Sequence, residues 1–205
     1  MGLAARALGE YGRAQSALQG ALDLLGAPEH VEVRVHVLGH LSTLYLYEGD
    51  LCRALDVARQ ALTLCEQAQL QFERRVPLGD IGAAAAALGD RELARRCLEE
   101  SLVIARQVSD RTQEIFCQGH LGWLEVQEGA PRAAREHLAA ALALAEEIDS
   151  HAERSWLHAG LAEAHSLAGD QTQALGHAQC AVALAEASGC AHDRRLSEET
   201  LAKLG

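Results

Sequence analysis

The chain has 205 residues, of which 49% are hydrophobic and only 3% are aromatic, and it contains three prolines. Ala and Leu dominate and β-branched residues are few, a composition that predicts helix throughout. The formal net charge is −11, from 29 acidic and 18 basic residues. This charge argues against binding to nucleic acid or to an anionic membrane, because both would repel an acidic surface.

Membrane insertion and secretion are also unexpected. No segment approaches the ~20 consecutive apolar residues of a membrane-spanning helix, and the N-terminus lacks the charged start and apolar stretch of a signal peptide. The six cysteines form no CxxC pair and no regular frame. Free thiols in a reducing compartment explain them better than a disulfide framework, so we expect a cytoplasmic protein.

A repeat of 40 residues runs along the chain. It is marked by five glycines, which we call the marker glycines: Gly9, Gly49, Gly89, Gly129 and Gly169. An alanine follows each marker by five residues, and apolar columns keep the same register on both sides. Each period predicts two helices joined at the marker, because glycine readily takes the positive φ that ends a helix. Aspartate follows three of the markers as a predicted N-cap, and Pro131 begins the next helix after Gly129.

The predicted elements follow from this period. They are a partial repeat at 1–28, complete repeats at 29–68, 69–108, 109–148 and 149–188, and a terminal capping helix at 189–205. The first complete repeat predicts helices from about Glu29 to Glu48 and from about Leu51 to Ala68. Because a lone helix pair cannot bury its apolar face but stacked pairs can, we expect one all-α domain over 1–205. That domain would be a right-handed α-solenoid of antiparallel pairs with about eleven helices. The incomplete first repeat indicates a fragment of a larger protein.

The columns carry a family resemblance. Leu121-Gly122 in a first helix, the turn glycine Gly129, and the small residues Ala134 and Ala141 in the second helix form a pattern that resembles the tetratricopeptide repeat. The 40-residue period exceeds the usual period of about 34. It resembles a longer-helix subclass found in the Leu-Gly-Asn repeat scaffold, in kinesin light chain and in sensor domains of maltose-activator-type regulators. The resemblance implies that the first helices line a concave, peptide-binding surface.

One face of the first helices is therefore the candidate site. Its residues stand 13, 10, 6 and 3 positions before a marker, spacings that share a helical face. The predicted peptide-binding residues are His36, Thr43, Leu46, Val76, Phe116, Trp123, Val126, Trp156 and Glu163. They include both tryptophans of the chain. One interpretation is an apolar groove that holds a peptide on aromatic anchors. The other is that the rings pack between adjacent first helices.

The sequence offers little catalytic or metal-binding chemistry. His36 and His40 share a helix face, but no third metal ligand is evident. His158 and His165 are expected to be partly buried and hydrogen-bonded, and their titration would soften the last repeat below about pH 6. We find no nucleophile elbow, HExxH, phosphate loop or dinucleotide fingerprint. The chain is therefore predicted to be no enzyme, with no metal and no cofactor.

The favoured function is a protein- or peptide-binding scaffold within a larger intracellular regulatory protein. The alternatives are an effector-sensing or self-association module of a signalling or transcription regulator, which would bind a small effector or form a homo-oligomer with another copy of the chain, and a structural spacer. Replacement of Trp123 and Trp156 by alanine separates these functions. A binder would lose its partner and keep its helicity, whereas a spacer would lose only stability.

Overall fold

The structure is a computed structural model that describes residues 2–25, 30–148, 151–188 and 191–204. Its helices are α1 (Gly2–Leu24), α2 (Val31–Glu48), α3 (Leu51–Gln67), α4 (Arg75–Leu88), α5 (Arg91–Gln107), α6 (Arg111–Gln127), α7 (Pro131–Glu147), α8 (His151–Leu167), α9 (Gln171–Ser188) and α10 (Ala191–Leu204). Within these ranges the chain forms helices and turns and no strand. The predicted all-α repeat of helix pairs is confirmed, with ten helices against about eleven expected.

The difference in number lies in α1, which continues through Gly9, where the repeat predicts a turn. Glu10 follows Gly9, and glutamate propagates a helix well but caps one poorly. The other four marker glycines end helices or form turns with φ between +70° and +88°. A side chain is strained in this left-handed region, so the predicted reason for glycine at these turns is confirmed.

The predicted N-caps are also present. The Asp50 carboxylate accepts a hydrogen bond from the backbone N–H of Arg53 at 3.1 Å, and Asp90 and Asp170 accept from the residue three positions on. A cap of this kind contributes about 1 kcal/mol to helix stability. Pro131 is the first residue of α7, where its missing N–H is harmless.

The two turns that lead from α3 to α4 and from α5 to α6 contain no glycine. Gln69 and Ser109 each take φ of +57° at these turns. After the second turn, the Asp110 carboxylate accepts a hydrogen bond from the backbone N–H of Gln113 at 3.0 Å. The helix α4 begins at Arg75, inside the repeat predicted for 69–108. The predicted helix start at Glu29 and the repeat boundaries at residues 28–29, 149 and 189 lie outside the described residues.

The chain divides into two compact units, unit 1 (Met1–Gln113) and unit 2 (Glu114–Gly205). The core of each unit packs small residues of the second helices against leucine and isoleucine. In unit 1 the buried residues include Ala54, Ala58, Leu78, Ile81 and Ile104. In unit 2 they include Ile115, Ala134, Leu138, Ala141, Ala145, Leu157 and Leu161. The alanine methyl groups allow close helix approach, which holds the first helices of each unit side by side.

No helix in the described ranges is long and apolar enough to cross a membrane. The cysteines of these ranges are free thiols, namely Cys52, Cys65, Cys97, Cys117 and Cys180.

Candidate peptide-binding face

The first helices of unit 2, α6 and α8, meet through a glycine and a tryptophan at two points. A Cβ atom added to Gly119 would lie 2.3 Å from Cζ3 of Trp156, and one added to Gly160 would lie 3.1 Å from Cε2 of Trp123. Both pairs are separated by 37 residues. The Trp156 indole therefore occupies the space that a side chain at 119 would need. At 160 the Trp123 indole shares that space with Leu138, whose Cδ2 would lie 2.9 Å from an added Cβ.

Four rings form a connected cluster on these two helices, which we call the aromatic face: Phe116, His120, Trp123 and Trp156. Ring centroids lie 4.4 Å apart for Phe116 and His120, and 4.8 Å apart for His120 and Trp156. The two indoles lie 6.3 Å apart with an interplanar angle of 25°. All four side chains are partly exposed. Both indoles also pack against the core around Leu138, so the rings fill the helix interface and still present a surface.

His120 belongs to the aromatic face although it was not among the predicted site residues. Burial lowers the pKa of His120 to about 4, so its imidazole is neutral near pH 7. The available signal was its position four residues after Phe116, which puts both on one helical face. The Trp123 indole N–H is buried and has no hydrogen-bond partner among the described residues.

Two further predicted site residues lie next to the aromatic face in sequence. Val126 is one helical turn after Trp123 on α6, and Glu163 is one turn after Gly160 on α8. Val126 packs against the core of unit 2. The Glu163 carboxylate accepts a hydrogen bond from Nζ of Lys203 at 2.6 Å. Lys203 lies in α10, 40 residues further along the chain. The terminal helix α10 thus lies beside α8, at the position of a next first helix.

The corresponding face of unit 1 is polar. His36 Nε2 lies 2.6 Å from a Glu73 carboxylate oxygen, and Arg75 binds Glu73 at 3.2 Å and Asp110 at 2.8 Å. Burial alone would raise the pKa of Glu73, but the hydrogen bonds and charges of His36 and Arg75 lower it. These ion pairs engage the side chains that would otherwise be free for a ligand.

A second polar contact lies deeper in unit 1. The Thr43 hydroxyl lies 3.2 Å from an Asp80 carboxyl oxygen and 3.0 Å from the Gly39 carbonyl oxygen, and it can donate its one hydrogen to either. Asp80 is only 2% exposed, and burial raises its pKa to about 7. Asp80 was missed as a candidate, although a single acid within the alanine-rich α4 is a visible signal. Val76 packs beside Gly39, where an added Cβ would meet Val76 Cγ1 at 3.1 Å.

The nine predicted site residues thus fall into two groups. His36, Thr43, Leu46 and Val76 lie in unit 1, where Leu46 packs against the core around Tyr45. Phe116, Trp123, Val126, Trp156 and Glu163 lie in unit 2. That either group binds a peptide stays a prediction.

Three histidines of unit 2 form a separate cluster. His158 Nδ1 lies 2.9 Å from His177 Nδ1, and the His165 ring stacks on His177 with centroids 5.3 Å apart. Burial lowers the pKa of His158 to about 4, and it also lowers that of His177. The predicted partial burial of His158 and His165 agrees with the structure. Across the described chain, no three His, Cys, Asp or Glu side chains are arranged to hold a metal ion.

Comparison with known proteins supports the resemblance seen in the sequence. Residues 73–147 match the family model of the tetratricopeptide repeat. This segment contains tetratricopeptide repeats. A comparison with curated protein sequences finds no match to the chain.

Solved tetratricopeptide-repeat structures share the fold. The chain is similar to the nearly identical TPR-like repeats of a putative kinesin light chain from Podosopora anserina, with 20% identity, 86% of this chain and 87% of that chain covered, and a TM-score of 0.63. It is also similar to BtubC (BKLC) from P. vanneervenii, with 15% identity, coverage of 100% and 90%, and a TM-score of 0.63.

A third similar structure is a signal transduction ATPase with numerous domains and a tetratricopeptide repeat sensor, from Pyrococcus horikoshii. The identity is 16% and the TM-score is 0.69, and the alignment covers 93% of this chain but only 28% of that protein. Because the sequence identities are 20% or lower, these three similarities show a shared fold and nothing further.

Proposed function

We propose that this tetratricopeptide-repeat chain binds a protein or peptide, and that the aromatic face of unit 2 is its binding surface. Tetratricopeptide repeats generally serve as protein-binding scaffolds. The observation that carries the proposal is the cluster of four partly exposed rings, which includes both tryptophans of a chain with only 3% aromatic residues.

The geometry of the rings suits a binding surface. Trp156 is held against Gly119 and Trp123 against Gly160, so little side-chain freedom is left to lose when a partner binds. Burial of the exposed ring surface would contribute roughly 25 cal/mol for each Å² of apolar area covered. Aromatic residues of this kind often dominate the binding energy of an interface.

We further propose that the chain is a non-catalytic part of a larger cytoplasmic regulatory protein. The free thiols of the described cysteines support a reducing compartment. A second candidate is effector sensing, which the likeness to a chain with a tetratricopeptide repeat sensor brings into consideration. A sensor would use the same face for its effector, so one set of variants serves both candidates.

The test is a peptide-array screen with the wild-type chain and the Trp123→Ala/Trp156→Ala double variant. The matched control is Leu175→Ala, which removes an exposed apolar side chain of α9, 41% exposed, in the same unit. Circular dichroism and urea unfolding first establish that all three proteins are folded under the assay conditions. We expect the double variant to lose the captured peptides and the control to keep them. Capture of the same peptides by all three proteins would place the binding surface elsewhere.

A further inference from the structure

The two units differ in charge. Unit 2 carries 14 acidic and 6 basic residues, whereas unit 1 carries 15 and 12. Most of the excess negative charge of the chain therefore belongs to the smaller unit that holds the aromatic face. A field of this sign attracts cationic partners and repels anionic ones.

The rings themselves suit a cation. The indole face is the best aromatic partner for an ammonium or guanidinium group, which binds within about 6 Å of the ring centroid. Trp123 and Trp156 lie nearly parallel and partly exposed. The neighbouring imidazole of His120 is neutral near pH 7, because burial lowers its pKa to about 4, so it adds no competing positive charge.

A carboxylate one helical turn beyond Gly160 already binds a cation. Glu163 lies three residues after Gly160, on which the Trp123 ring rests, and this spacing puts Glu163 on the same helical face one turn further. Its side chain is 21% exposed, and its partner Lys203 is 64% exposed. Because the lysine is the more solvated member of the pair, a partner's cation can compete with it for Glu163.

We propose that the aromatic face binds a basic segment of another protein, with an arginine or lysine side chain on the Trp123 and Trp156 rings and its charge close to Glu163. Arginine fits better, because the planar guanidinium group stacks on an indole and binds a carboxylate at the same time. The proposal rests on the proposed function, since it names the chemical class of the partner at that same face.

Three short peptides test the charge preference. They share the same alanine and leucine residues and carry arginine, glutamine or glutamate at two fixed positions. Binding is measured by the emission of the two tryptophans, which are the only ones in the chain, and by calorimetry. We expect the arginine peptide to bind about fivefold tighter than the glutamine peptide, the glutamate peptide to bind most weakly, and the differences to shrink at ~0.5 M salt.

Charge variants test whether Glu163 contributes to the preference for the arginine peptide. Glu163→Gln should weaken binding of the arginine peptide about threefold, and Lys203→Gln should strengthen it by a similar factor because the competing ammonium group is gone. The controls are Glu136→Gln and Arg195→Gln, which change the net charge equally within exposed pairs on α7 and α10. Trp123→Leu keeps an apolar side chain at this position but removes the indole, so it should reduce the preference for arginine over glutamine.

Several outcomes would overturn the proposal. They are equal binding of the arginine and glutamine peptides, tighter binding of the glutamate peptide, no binding of the arginine peptide, and shifts of the same size in the two control variants. The proposed function is tested separately, because peptides lost by the Trp123→Ala/Trp156→Ala variant identify the face whatever their charge. Binding of the arginine peptide that survives this double variant would contradict both.

Discussion

Units 1 and 2 use the same residue spacing for contacts between successive repeats, but the side chains in contact are polar in unit 1 and aromatic in unit 2. In unit 1 the spacing of 37 residues joins Thr43 to Asp80, and His36 to Glu73. In unit 2 the same spacing joins Trp123 to Gly160. The spacing determines which side chains meet. The identity of those side chains determines whether they form polar contacts with each other, as in unit 1, or a surface of partly exposed rings, as in unit 2.

This difference bears on binding. A polar group that already has an internal partner gains little from a ligand, because one hydrogen bond replaces another. The ion pairs of Glu73 and Arg75 therefore leave unit 1 with few unsatisfied groups on this face. The rings of unit 2 keep part of their apolar surface exposed to water, and a partner that covers it gains the full hydrophobic contribution.

The largest expected effect on stability comes from replacing one of two glycines, Gly119 and Gly39, which each lie ten residues before a marker glycine. Gly119→Ala should lower the free energy of unfolding of unit 2 by about 2 kcal/mol, because the new methyl group would lie 2.3 Å from the Trp156 ring. Gly39→Ala should change that of unit 1 by less than about 1 kcal/mol, because better helix propensity offsets its contact with Val76. Urea unfolding measures both changes, and equal losses would contradict the pairing described for unit 2.

The next effect is the pH dependence of unit 2. The pKa of His120 and of His158 falls from 6.5 to about 4 in the folded chain. As the pH drops below 6.5, the unfolded chain takes up these protons first, so stability is lost between about pH 6.5 and 4. We expect the free energy of unfolding to fall on the order of 2 kcal/mol between pH 7 and 5.

Urea unfolding followed by tryptophan emission reports this change, because both indoles lie in unit 2. The variant His158→Gln should reduce the pH dependence of unit 2. A flat profile between pH 7 and 5 would show that these histidines are protonated as easily in the folded chain as in the unfolded one.

Unit 1 should respond to pH in the opposite direction. The pKa of Asp80 rises from 3.8 to about 7 on folding, so its contribution to stability is present below pH 3.8 and is lost as the pH rises through 7. Asp80→Asn removes the charge at every pH and should stabilise unit 1 by about 1 kcal/mol at pH 8, with a smaller effect at pH 5. Hydrogen exchange of the α2 and α4 amides at both pH values, corrected for intrinsic rates, measures this. An unchanged pH dependence in the variant would exclude Asp80 as its source.

The smallest expected effect concerns His36. Its side chain is 58% exposed in the pair with Glu73, and an exposed pair contributes little because water screens it. His36→Ala should therefore change the free energy of unfolding by no more than about 0.5 kcal/mol, and peptide capture should stay the same. A marked loss of capture would show that the face of unit 1 also binds, which would weaken the contrast between the units.

The features that could be predicted from the sequence are those that depend on neighbouring residues in the chain. The marker glycines, the Asp50 cap and the buried Ala134 depend on residues within one helix or one turn, so the 40-residue columns revealed them. The continuation of α1 through Gly9 was not predicted, because the glycine column recurs there while the residue after it, Glu10, is a poor N-cap. The contacts of His120 with Trp156 and of Asp80 with Thr43 join helices at spacings of 36 and 37 residues, which the 40-residue columns do not contain, so only the presence of these side chains was visible in the sequence.

The pairing of glycine with tryptophan has a consequence for how such a chain can change during evolution. A larger residue at 119 is tolerated only if the residue at 156 becomes smaller, whereas a larger residue at 160 would need room from both Leu138 and Trp123. Among relatives, substitutions on this face should therefore occur in compensating pairs separated by 37 residues. Duplication of a whole repeat would copy each column but break these pairs at the new junction, so duplicated repeats should diverge first at the positions where one first helix meets the next.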